Sequence, residues 1–141
     1  MELLIVIVVI GILAAISVVA YGTIQEKAKV NRASTDLSTL AKAIQTARLN
    51  QDKVLKDITL SNCTNCGTQA VYEATLDRIG QAAGVNLSGL KAGNPWGSKY
   101  AIDENELENM ASNNGCNRDT LNPGTGSTAG VVVPVIPTYS C

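Results

Sequence analysis

The sequence predicts an α+β chain: a long N-terminal helix, apolar in its first half and amphipathic in its second, followed by a small loop-rich head with short strands. Three observations carry this reading. Residues 3–20 form an apolar run interrupted only by Gly11 and Ser17. Beyond Gly22, apolar residues recur at Ile24, Ala28, Ala33, Leu37, Leu40, Ala41, Ile44 and Ala47, close to a period of 3.6, with Asn31, Ser34, Asp36, Ser38, Thr39, Lys42 and Gln45 between them. After residue 51 the periodicity gives way to turn residues, four cysteines and a segment rich in Gly, Thr and Ser. The expected organisation is 1–22 as an apolar half-helix, 23–51 as an amphipathic half-helix and 52–141 as the head.

The apolar run reaches roughly 27 Å as a helix, about one hydrocarbon core, so it can span a membrane. A secretory signal peptide shows a basic leader, a shorter apolar core and a small-residue cleavage site, a pattern this run does not follow. Glu2 stands at its mouth. An ionised side chain entering the lipid core costs on the order of 2.5–3.5 kcal/mol, so Glu2 is expected to have a partner. The helix is expected to end near Asn50-Gln51-Asp52, for a length of about 75 Å.

In the head, residues 54–60 suit a short strand or loop, and 61–68 a loop holding two cysteines. Val71, Thr75, Leu76, Ile79 and Ala83 have helical spacing, which predicts a helix over 69–83 closed by Gly84. Gly93-Asn94-Pro95-Trp96-Gly97 predicts a turn in which Pro95 fixes φ and Gly97 permits a positive φ, with a strand at 99–102 after it. Trp96, the one tryptophan, is expected to anchor the core. Residues 120–130 read as an exposed loop. The stretch 131–136 is the most β-prone in the head, but Pro134 and Pro137 confine it to an edge or an irregular extended path.

The 141 residues include no histidine and no phenylalanine, and the net charge is −1 with both signs interspersed. Clustered Lys and Arg of a nucleic-acid surface are missing. Lys27, Lys29 and Arg32 do gather beyond the apolar run, but Glu26 and Asp36 share the helix, which reads as a solvated face at a membrane boundary. No histidine base, phosphate-binding loop or nucleophile elbow appears, so neither a catalytic set nor a cofactor is expected and function should come from assembly.

The stretch Glu2-Leu3-Leu4-Ile5-Val6-Ile7-Val8-Val9-Ile10-Gly11-Ile12-Leu13 strongly resembles the N-terminal signature of type IV pilins and of the related type II secretion pseudopilins. The resemblance implies a structural subunit that waits in the cytoplasmic membrane and is polymerised through these residues into a helical homopolymer at the cell surface. It implies as partners a prepilin peptidase, which clips a leader before N-terminal methylation, and an assembly platform. In that pattern Glu2 matches the glutamate that neutralises a neighbouring subunit's terminal amine. Met1 occupies the place of the residue before it, and the leader and three mature residues of the family pattern do not precede it here. Many members carry a helix-loosening proline where this chain has Val19, so a continuous helix is expected, stretched at most near Gly11 to Ala15.

Asn94-Pro95-Trp96-Gly97 with Tyr100 is similar to a turn and strand of major pseudopilins, which keeps that role as the alternative to a pilus. Major pseudopilins commonly hold calcium after this turn. Asp103, Glu104 and Glu106, in a run that continues to Glu108, are the corresponding carboxylates here, with a solvated helix or turn as the plainer reading.

Cys63, Cys66, Cys116 and Cys141 allow three disulfide connectivities. Cys63 and Cys66 enclose two residues and can close locally; a bond between Cys116 and Cys141 would resemble the C-terminal disulfide loop of many pilins. A four-cysteine zinc site and a membrane-anchored thiol redox protein using the CxxC are the rival readings.

Overall fold

The computed structural model describes residues 2–61, 63–107, 115–126 and 129–140, with the backbone alone at 2, 19 and 20. Helix α1 runs unbroken over Glu2–Gln51, 50 residues or about 75 Å. Gly11 and Gly22 lie within it with no neighbour that would exclude a side chain, and the Ser17 hydroxyl donates to the Leu13 carbonyl at 2.8 Å, so the apolar half keeps its helical bonds. The chain leaves the helix at Asp52, which has a left-handed φ of 52°.

The head covers one face of the second half of α1. Ala33, Leu37, Leu40, Ala41, Ala43, Ile44 and Ala47 are buried there, and the alanines let the helix over residues 69–83 approach closely. The expected stripe began at Ile24 and Ala28, but both are exposed; the first fully buried residue described in α1 is Ala33.

Helix α2 spans Leu55–Thr59, where a strand or loop was expected. Leu55, Ile58 and Thr59 share one face toward the core, and the Thr59 hydroxyl donates to the Leu55 carbonyl at 3.1 Å; burial of this face outweighs the β preference of Ile58 and Thr59. A 3-10 turn follows at Thr64–Cys66. Helix α3 occupies Gln69–Ala83, with the Thr68 hydroxyl accepting from the Val71 N–H and Gly84 closing the other end at φ 71°. Its buried face is Tyr72, Thr75, Leu76, Ile79, Gly80 and Ala83, whereas Val71 is exposed.

After a short 3-10 turn at Ser88–Leu90, Asn94 organises the Pro95-Trp96-Gly97 turn: its carboxamide oxygen accepts from the N–H groups of Trp96 (2.9 Å) and Ser98 (3.0 Å). Strands β1 (Ala101–Asp103) and β2 (Thr120–Asn122) pair antiparallel with Ile102 opposite Leu121, both directed inward. Thus the segment expected to be an exposed loop starts as a strand, because Leu121 completes the core beside Ile102. Residues 131–136 form no strand; Ile136 is buried, Val132 and Val135 are exposed, and the Val132 N–H donates to the Ser34 hydroxyl at 3.0 Å.

Candidate assembly surface and the head fastened to it

Between Leu3 and Val18 the large apolar side chains of α1 are exposed on every face, from Val9 at 48% to Leu3 at 78%. None of the described residues covers them. This helix is long and apolar enough to cross a membrane by length and composition. Leu3, Leu4, Ile5, Val6, Ile7, Val8, Val9, Ile10, Ile12 and Leu13 all belong to this exposed surface, with Gly11 among them, while Glu2 is described only as the first helical residue. Where the helix turns amphipathic, Lys29 pairs with Glu26 (3.7 Å) and Arg32 with Asp36 (3.6 Å), so this border is a mixed-charge face.

Side-chain bonds spaced along α1 fasten the head. The Trp96 indole N–H donates to Glu26 at 3.0 Å and the Tyr100 hydroxyl to Asp36 at 2.6 Å. Trp96 is half-buried, so it anchors the margin of the head rather than the centre of its core. Burial raises the Tyr100 phenol, and its bond to Asp36 raises it further. The Tyr72 phenol, pushed up to about 12 mainly by burial, donates to the Leu90 carbonyl at 2.8 Å.

At the far end of α1, Arg48 is buried at 2% exposure. Its guanidinium donates to the Pro137 carbonyl at 2.8 Å, lies 3.4 Å from Glu106 and pairs with Asp119. The second carboxylate is balanced by backbone donors: Asp119 accepts the Glu106 N–H at 2.9 Å, and Glu106 accepts the N–H groups of Tyr139 (2.7 Å) and Ser140 (2.6 Å). Burial alone would raise the Glu106 carboxyl, but the Ser140 and Tyr139 donors and Arg48 outweigh it and hold it below its ordinary value. Burial lowers Arg48, opposed by the charge of Glu106. One cluster thereby ties α1, the segment after β1, the entry to β2 and the C-terminal segment.

Glu104 has the opposite setting. It is fully buried, accepts from the Thr64 N–H (2.9 Å) and hydroxyl, and is raised by burial against the pull of those bonds. Neither it nor Glu106 lies on a solvated face, which corrects the plainer reading of the acidic run. The sites also diverge: Glu104 meets the Thr64 turn and Glu106 the C-terminal segment, so with Asp103 they form no common oxygen cage. Glu108 lies outside the described residues.

Cys63 and Cys66 are joined by a disulfide, and Cys116 is disulfide-bonded; Cys141 lies outside the described residues. The zinc reading is thereby corrected, since oxidised sulfurs supply no thiolate ligands. Sequence reasoning missed Arg48, Thr64 and Asp119. For Arg48 a signal existed: it falls four residues after Ile44, on the buried stripe. No family model, curated protein or solved structure matches the chain.

Proposed function

We propose that this chain is a structural subunit of a type IV pilus-like helical filament, held in the cytoplasmic membrane before assembly and polymerised through the apolar half of α1. The observation that carries the reading is the uncovered apolar surface over residues 3–18, joined without a break to a half-helix that is bound into a head. Such a surface needs lipid or other helices around it, and a filament exchanges the first for the second. Filament-core helices would then be packed by van der Waals contact, with the heads outside. The role requires no catalysis.

The pseudopilin alternative draws on the Pro95-Trp96-Gly97 turn, which α1 engages through Glu26. Surface filaments sheared from the cells, imaged by electron microscopy and identified by mass, test the proposal. This chain as the main component supports it; long filaments lacking the chain would overturn the pilus reading. Short filaments formed only on overproduction would favour the pseudopilin.

A further inference from the structure

We propose that the Cys63–Cys66 disulfide is a thiol–disulfide exchange site for a dithiol partner, and that its opening releases the segment leading out of β1. The inference is independent of the filament reading. Cys66 is exposed and Cys63 half-buried, so Cys66 is the more accessible of the two to a partner. The Cys63 sulfur accepts the Cys66 backbone N–H at 3.2 Å, a donor that would stabilise it as a thiolate. The bond closes a loop with only two residues between its cysteines, for which the chain-entropy contribution is least.

The step balances as ordinary exchange. A thiolate of the partner attacks the Cys66 sulfur, the Cys63–Cys66 bond breaks, and Cys63 leaves as a thiolate. The partner's second thiolate then displaces Cys66, giving an oxidised partner and two reduced cysteines here, which take up the two protons released by the partner's thiols. Two electrons pass from the dithiol to this disulfide.

The consequence for the fold runs through Thr64, which the disulfide brackets. Its N–H and hydroxyl hold Glu104, its hydroxyl lies 3.1 Å from that of Thr75 on α3, and Cys63 bridges to Asp103. Among the described residues Glu104 has no cationic partner, and outside the turn only the Thr59 side chain and its own backbone still favour its charged form, fewer donors than the turn removes. Opening the turn therefore leaves a buried carboxylate under-satisfied, and the end of β1 loosens with it.

The full chain in detergent micelles, treated with graded reduced glutathione, acid-quenched, alkylated with iodoacetamide and mapped by mass, tests the chemistry. The expected result is glutathione on Cys66 and alkylation on Cys63, with Cys116 staying oxidised until about tenfold more reductant is present. Glutathione on Cys63, or opening of the Cys116 bond at the same concentration, would overturn it. Hydrogen exchange on the selectively reduced chain tests the coupling: the Thr64 amide and those of 102–104 should exchange about tenfold faster. Unchanged protection there would refute the release of β1.

Discussion

The Trp96 indole N–H donates to the Glu26 carboxylate at 3.0 Å across a separation of 70 residues, tying the turn of the head to α1 just beyond its uncovered apolar half. The bond sits where lipid or neighbouring helices would give way to the head. Gly126 belongs to the same contact, since a side chain there would meet the Trp96 side chain at 2.7 Å.

Trp96→Phe keeps a ring but removes the N–H. For a partly exposed bond to a carboxylate the loss should be about 1 kcal/mol, and Glu26→Gln should lose less because an amide oxygen still accepts. Chemical denaturation of the full chain in micelles checks both. Equal losses would mean that the charge, rather than the hydrogen bond, carries the contact.

Arg48→Met should cost about 3–5 kcal/mol, because it leaves Glu106 and Asp119 buried without their cation. Adding Glu106→Gln and Asp119→Asn to that variant should recover part of the loss, since the three side chains act as one cluster. Denaturation midpoints of the wild type, Arg48→Met, Glu106→Gln/Asp119→Asn and the triple variant read this directly; strictly additive losses would contradict the clustering.

The two buried glutamates titrate with opposite signs. Glu106 is held below its ordinary value of 4.5, so its contribution is present above that pH and disappears as pH falls through the lowered folded value. Glu104 is raised above 4.5, so its contribution is present below that pH and disappears as pH rises through the raised folded value. Melting temperature against pH should therefore lose its acid-side fall in Glu106→Gln. It should lose the decline above 4.5 in Glu104→Gln.

On the proposed filament reading, Glu2→Ala should leave membrane insertion intact and reduce incorporation into filaments by about tenfold or more beside wild-type subunits, because a neighbour's terminal amine would then lose its partner in an apolar bundle. The ratio of variant to wild type in filaments and in membranes measures this. Equal ratios would remove Glu2 from assembly.

Features set by local chemistry were legible in the sequence. Helix α3 follows from its 3.6-residue spacing between Thr68 and Gly84, and the Cys63–Cys66 bond is compatible with so short a spacing. The exposed apolar half of α1 follows from its composition. Features set by distant partners were not legible. Arg48 is buried because Asp119, 71 residues on, and Glu106 meet it, and charged residues ordinarily read as surface. Glu104 is buried because the Thr64 turn supplies donors 40 residues away. Val131 to Ile136 has strand-forming residues, yet Pro134 and Pro137 break its donor row and the segment lies against α1 through Ser34.

The most direct test is a side-chain-resolution electron cryomicroscopy map of filaments containing this chain. The account predicts residues 3–18 packed at the filament axis, the heads outside, and helix retained between Gly11 and Gly22 because Val19 keeps its N–H donor where a proline would not. A filament whose subunits meet only through their heads, with the apolar half of α1 away from the axis, would contradict it.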